Sequence, residues 1–247
     1  MQGELMHTNE YLPISSATGI VLCGGKSTRM RRLTKGLMPK HLLPISYTTT
    51  LLDNAVQNLK SAGLKKIILI TSDDTSPHIM NHAKMNYDLY SGVEYFDHNG
   101  TTVGIAPTLS LLMRYRTFNG QIIQLDGDEL NHKLDLKEMY KHHIKCGYAI
   151  TYAVTKKTNP KYQMILDREG NPRIVNATKQ DDNSFGLTGA HVFDPLIIKS
   201  MQDAGSTANF LAEVSERQSV GYFNFNGFSV NVNTPMDYIN LIHYLNL

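Results

Sequence analysis

Cysteine is scarce in this chain: Cys23 and Cys146 are the two among 247 residues. Two thiols form no disulfide framework, so a reducing, cytoplasmic setting is the expectation. No apolar stretch reaches membrane-spanning length and no signal peptide opens the chain, so no membrane association is expected. Net charge is also small, +2, which speaks against a nucleic-acid partner; the cations gather locally in residues 26–41. Internal repeats, low-complexity tracts and linkers are missing. So are G-x-x-x-x-G-K-[ST] and G-x-G-x-x-G, which argues against a P-loop ATPase and a dinucleotide-binding fold.

What the sequence does have is ordinary apolar content, 41%, spread along the whole length, enough for a core of normal size. Strand and helix patterns alternate. Residues 19–23 read as a buried strand. Leu51, Leu52, Ala55, Val56, Leu59 and Ala62 recur at helical spacing before Gly63. A strand at 66–71 follows, then a helix opened by Ser76 as N-cap and Pro77 as N1. The rhythm continues through a strand at 93–96, a helix at 106–116, a strand at 121–125 and a helix at 136–146. It implies a mostly parallel sheet covered on both faces. From about residue 148 the pattern changes: strands at 148–155, 162–166, 173–178, 186–193 and 220–225, the second and third forming a hairpin. Helices are expected at 208–217 and 235–245. His142 and Cys146, four apart on a helix, lack further convergent ligands and read as helix surface rather than a metal site.

The segment Gly19 to Ile45 is the most informative. Its strand ends in a loop with Gly24, Gly25 and the cations Lys26, Arg29, Arg31 and Arg32, and Pro39-Lys40 stands before a second apolar run. Glycines after a strand let backbone N–H groups approach a ligand, and cations beside them suit a triphosphate. At the end of another strand lies Asp126-Gly127-Asp128, where a carboxylate faces the loop crevice.

These residues resemble the signature of the sugar-phosphate nucleotidyltransferases, L-A-G-G-x-G-T-R-L-x-P-L-T-x-x-x-P-K-x-L-L-P-[IV]. Leu22, Gly24, Gly25, Thr28, Arg29, Leu33, Thr34, Pro39, Lys40, Leu42, Leu43, Pro44 and Ile45 match. Cys23, Ser27, Met30 and Arg32 depart from it. Ser27 with Arg29-Met30 also resembles the molybdopterin guanylyltransferase loop, whose following Asp-Lys is Pro39-Lys40 here. Leu125 to Asp128 resembles L-x-G-D, and Asn231-Val232-Asn233-Thr234-Pro235-Met236-Asp237-Tyr238 resembles D-x-G-T-P-x-D-[YL].

The resemblance implies a Rossmann-like three-layer α/β/α sandwich with a mostly parallel sheet and antiparallel additions in its second half. It implies residues 18–247 as a single domain of the short form without a C-terminal β-helix, after a leader at 1–17. The activity implied is Mg²⁺-dependent transfer of a nucleotidyl group from an NTP to a sugar 1-phosphate, with pyrophosphate released, in nucleotide-sugar supply for cell-surface glycans. Leu22, Gly24, Gly25, Thr28, Arg29 and Gly104 would bind the nucleotide. Arg29, Lys40 and Asp128 would be catalytic. Asp128 and Asn231 would hold Mg²⁺, with Asn233 the lesser candidate and Asp237 a helix cap. Lys179 and Gly189 would meet the acceptor. NTP and a phosphorylated small molecule are the expected partners, and a homo-oligomer is compatible with them.

Two departures define the alternatives. Leu187-Thr188-Gly189 replaces the family's N-A-G near the sugar, which favours a cytidylyl- or guanylyltransferase acting on a non-hexose phosphate. Asn231 replaces a charged ligand, which favours a catalytically weak regulatory paralogue. The D-x-D at 126–128 also suits a glycosyltransferase, but P-K-x-L-L-P and the late motif do not.

Overall fold

The computed structural model describes residues 12–99, 105–156, 162–167, 172–176, 184–200 and 220–245. The expected helix at 208–217 lies outside them. At the centre of a nine-stranded sheet is β1 (Thr18–Leu22), paired in parallel with β2 (Lys66–Thr71) and β4 (Ile122–Asp126). β3 (Val93–Asp97) extends the β2 side in parallel. On the other side β9 (Phe185–Phe193) runs antiparallel to β4 and to β6 (Ile150–Thr155), and β10 (Val220–Asn224) lies parallel to β6. The hairpin β7 (Tyr162–Leu166) with β8 (Pro172–Asn176) attaches to β9. The sheet is thus mostly parallel in its first half and mixed in its second, as the sequence pattern implies.

Parallel neighbours require crossovers, and helices supply them. α2 (Leu51–Ala62), α3 (Ser76–Met85) and α6 (Leu136–Cys146) cover one face; α5 (Ile105–Tyr115) and α7 (Pro195–Ser200) cover the other. The strands' two-residue period divides the core between these faces. Val21, Ile67, Leu69 and Ile123 point to the first, while Ile20, Ile68, Ile70 and Ile122 point to the second. Each such buried side chain contributes roughly 1.5–3 kcal/mol.

Local signals set the helix ends. α2 begins with a Thr50–Asp53 capping box and stops at Gly63, φ 96°. Asp135 caps α6, accepting from the N–H groups of Lys137 and Glu138. α3 departs from expectation: its N-cap is Thr75, with Ser76 and Pro77 already inside the helix. The Thr75 side chain turns back to the Ser72 N–H at 3.0 Å, which closes the preceding turn.

Residues 12–17, inside the expected leader, pack on the body. Ala17 is buried, Ile14 lies against the first core face, and the Leu12 carbonyl accepts from the Tyr140 hydroxyl. Among the described residues no helix is long and apolar enough to cross a membrane.

β5 (Glu129–Asn131) pairs antiparallel with β11 (Ser229–Asn231) in a separate two-stranded sheet. It joins the residues just after β4 to the late motif. α8 (Pro235–Tyr244) follows it, and a third core of Met30, Leu43, Ile45, Leu51, Leu130, Val232 and Leu241 seals this end of the molecule.

Candidate active site

The site lies where β1 and β4 end. The Gly127 N–H bonds to the Leu22 carbonyl at 2.9 Å, so the first loop and the acidic turn leave the sheet side by side. A side chain at Gly127 would meet Cys23 Sγ at 3.0 Å, which accounts for glycine between the two aspartates. Cys23 is fully buried there; burial, then the charges of Asp128 and Asp126, push its thiol well above its ordinary pKa. It is therefore a packing element and not a nucleophile.

The loop after β1 is held by side chains that the motif does not require. Ser27 sits in the left-handed region, φ 50° and ψ 24°, where a non-glycine residue costs roughly 1–2 kcal/mol. Its hydroxyl accepts from the Lys40 N–H at 3.2 Å and so ties the loop to the Pro39-Lys40 segment. A short 3₁₀ turn (Thr28–Met30) and α1 (Arg31–Thr34) follow, with Met30 buried and Thr28 and Arg29 exposed. A cavity of about 260 Å³ opens beside the loop, lined by Gly25, Lys26, Ser27, Arg31, Pro39 and His78 among others. Gly24 closely faces His98, whose Nε2 would stand 2.5 Å from any Cβ added there.

Lys40 is the hub. Its side chain is largely buried, and its ammonium forms an ion pair with Asp128, which is equally shielded. It also donates to Asn233 Oδ1 at 2.8 Å, and Arg29 Nη2 donates to the same oxygen at 2.8 Å. Two cations from the first motif thus converge on one residue of the late motif. Beside Lys40, His41 is buried and held down to about pKa 4, chiefly by burial, with Asp128 pulling upward and Lys40 downward.

The late motif is anchored mechanically. Asp237 closes a capping box with Thr234 and accepts from the Asn233 N–H at 3.0 Å, the capping role expected for it. The Tyr238 hydroxyl reaches the Pro44 carbonyl at 2.6 Å, which pins α8 to the segment just beyond Lys40. The Val232 N–H bonds to the Asp128 carbonyl at 2.9 Å. The late motif therefore runs beside Asp128.

The side chain at that position is engaged within the protein. Asn231 Nδ2 donates to Glu129 Oε2 at 2.9 Å, and its oxygen accepts from Asn233 Nδ2. Asn233, the lesser candidate in the sequence reading, occupies the centre between Arg29, Lys40 and Asn231. Glu129 was not singled out in sequence; its signal is the register, which sets it opposite Asn231.

On β9, Gly189 lies so close to the Asp126 carboxylate that no side chain fits there. Gln124 Nε2 donates to Asp126 Oδ1 at 2.8 Å and to the Gly189 carbonyl at 3.2 Å, and His191 Nδ1 meets Gln124 Oε1 at 2.6 Å. Gly104 and Lys179 lie outside the described residues.

The donor set fits a hard cation. Asp128 offers a carboxylate and Asn231 and Asn233 offer amide oxygens, all oxygen donors at one strand end. The Asp128 carboxylate meets the Lys40 ammonium and the Asn231 oxygen meets an amide N–H, both positive partners that a cation can replace. No group of three or more His, Cys, Asp and Glu side chains is arranged for metal binding among the described residues. His142 Nδ1 and Cys146 Sγ are 3.9 Å apart; Cys146 is exposed, while the His142 ring lies near Tyr148 and Phe223.

A family model described as nucleotidyl transferase matches residues 18–216. The chain is 23% identical over 228 residues to the mannose-1-phosphate guanyltransferase of Yarrowia lipolytica, covering 90% of this chain and 62% of that one. It is 24% identical over 238 residues to the mannose-1-phosphate guanyltransferase of Saccharomyces cerevisiae, covering 92% and 64%. It thus spans less than two thirds of these curated relatives. A solved structure from Bacillus anthracis, assigned as a glucose-1-phosphate thymidylyltransferase and bound to sucrose, superposes with a TM-score of 0.76. It is 19% identical and the match covers 93% of this chain and 95% of that one; it speaks for the fold alone.

Proposed function

The chain belongs to the nucleotidyl transferase family, and from that premise we propose that it transfers a nucleotidyl group from an NTP to a sugar 1-phosphate and releases pyrophosphate. The observation that carries this reading is the convergence of Arg29 and Lys40 on one point beside Asp128, at the end of the central strands.

In this reaction an oxygen of the sugar 1-phosphate attacks the α-phosphorus in line. The new P–O bond forms as the bond to the β-phosphate bridging oxygen breaks, and pyrophosphate leaves with that electron pair. The phosphate monoester is already nucleophilic, so the protein's task is to position two anions and stabilise charge as it moves. Arg29, exposed on the loop, would bind the triphosphate, with the open backbone at Gly25 beside it. Lys40 has three N–H donors, and Asp128 and Asn233 engage two. A donor whose direction they set would thus serve the transferred phosphate. Asp128 and Asn231 would hold Mg²⁺, which when bound would supply positive charge against the phosphates. Gly189, backed by Asp126, would form the floor for the acceptor, and Gly104 and Lys179 complete the proposed nucleotide and acceptor contacts.

The curated relatives favour a guanylyl transfer to a hexose 1-phosphate as the first pair to assay. Leu187, in place of an asparagine before Gly189, favours widening the panel to other phosphorylated acceptors. A pyrophosphate-release screen of four NTPs against mannose 1-phosphate, other sugar 1-phosphates and non-hexose phosphates tests the reading. Release with one pair is expected; no release with any pair would instead favour a regulatory paralogue.

A further inference from the structure

We propose that Glu129 supplies, from the neighbouring strand, the negative charge that position 231 lacks, and passes it to the metal site through the Asn231 carboxamide. This rests on the nucleotidyl-transfer reading above and concerns how its cation is held.

The β5–β11 register sets Glu129 directly opposite Asn231. Glu129 is 4% exposed. Its Oε1 accepts from the Gly189 N–H at 3.0 Å and from the Ser229 hydroxyl, and its Oε2 accepts from Asn231 Nδ2 at 2.9 Å. Donors from β9 and β11 thus fix the carboxylate, and the carboxylate fixes the amide. A carboxylate accepts but does not donate, so the Asn231 nitrogen must face Glu129 and its oxygen must face the other way. That oxygen points to Asn233, on which Lys40 and Arg29 also rest. A carboxylate behind a ligating group orients it and raises its basicity, and loss of such a partner typically weakens metal binding by about 10- to 100-fold. Glu129 acts through Asn231, so it is a positioning residue.

The arrangement makes the single and paired substitutions behave differently. Asn231→Asp alone sets two carboxylates against each other across a 2.9 Å contact and removes the donor that Glu129 uses. It therefore weakens the site, although it adds a charged ligand. Glu129→Gln alone presents an N–H to position 231 and lets the amide turn, which withdraws its oxygen. The pair Glu129→Gln with Asn231→Asp reverses the direction of one hydrogen bond and leaves the total charge unchanged. The carboxylate then stands at 231 and the amide behind it.

The test is Mn²⁺ binding to the full-length protein without nucleotide, read from the free-ion electron paramagnetic resonance signal, with thermal unfolding measured on every variant. The wild type is expected to show one site that Asp128→Ala abolishes. Glu129→Gln and Asn231→Asp are each expected to weaken it about 10-fold or more, and the paired variant to return within about threefold of the wild type. A folded Glu129→Gln with wild-type Mn²⁺ affinity would make Glu129 a brace of the fold and overturn the proposal. So would a folded paired variant that binds no better than the singles. A wild type with no Asp128-dependent site would instead sink the metal reading itself, and the proposal with it.

Discussion

The Ser27 hydroxyl accepts the backbone N–H of Lys40 at 3.2 Å, and it does so from a left-handed backbone that glycine would adopt without strain. The two basic elements of the first motif are therefore joined by a side chain that stands where the family signature has glycine. Ser27→Gly relieves the strain and loses the tie; Ser27→Ala keeps the strain and loses the tie. Turnover is expected to fall several-fold in both, while only Ser27→Ala loses about 1 kcal/mol of stability relative to Ser27→Gly. Steady-state kinetics with urea unfolding of the two variants separates these effects. Unchanged turnover in both would mean that the tie does not position Lys40.

Lys40→Ala and Arg29→Ala are expected to fail in different ways. Lys40 is buried against Asp128, where the proposed mechanism has charge develop, so its loss is expected to fall mainly on kcat. Arg29 is exposed on the loop, so its loss mainly raises the KM for NTP. Each bond from such a charged donor is worth about 1.5–3 kcal/mol, or roughly 10- to 150-fold. Initial-rate kinetics over a range of NTP concentrations distinguishes the two, and wild-type catalytic efficiency in both would reduce the loop to a surface feature.

Asp128→Ala is expected to lower turnover by at least about 1000-fold, equivalent to some 4 kcal/mol. Asp126→Ala should act less severely, because Asp126 is turned toward Gln124 and Gly189 rather than Lys40. The reverse ranking in a pyrophosphate-release assay would make Asp126, not Asp128, the principal carboxylate of the site.

Acid should destabilise the fold before it protonates many carboxylates. Burial holds His41, His143 and His191 each down to about pKa 4, below the ordinary value near 6.5. The unfolded chain then binds more protons than the folded one between these values. Stability is full above about pH 6.5 and falls with acid until about pH 4, by at most about 1.4 kcal/mol per pH unit for each histidine. Urea midpoints measured at about pH 7 and about pH 5 check the sign; equal midpoints would mean that these imidazoles titrate normally.

Asp237→Ala is expected to remove about 1 kcal/mol from the fold by opening the α8 capping box. It should also reduce turnover, because Asp237 holds the Asn233 N–H, and Asn233 holds Arg29 and Lys40. A variant that loses stability at full activity would separate the cap from the site.

Much of this was legible in the sequence, for physical reasons. The apolar runs and their glycine stops locate α2, β2 and α6, because periodicity and caps are local. The motifs likewise place Arg29, Lys40, Asp128 and Asn231 at one end of the sheet. The β5–β11 pairing escaped because three-residue strands carry no periodic signal. Glu129 escaped with it, since its role exists only through that pairing. The meeting of Arg29 and Lys40 at Asn233 is not legible, because a motif position says nothing about which side chains reach it.

The Lys40–Asn233 bond spans 193 positions and the Glu129–Asn231 bond spans 102. Contacts between distant positions carry the loop-closure entropy of everything between them, and they form late. During synthesis β1 to β4 can fold while Lys40 and Arg29 still await residues 229–237. Once the protein is complete, the same order runs backwards. Fraying of α8 would withdraw Asn233 and disarm the basic loop while the central sheet stays intact. Hydrogen exchange in α8 would then track the loss of activity on mild heating, well ahead of global melting.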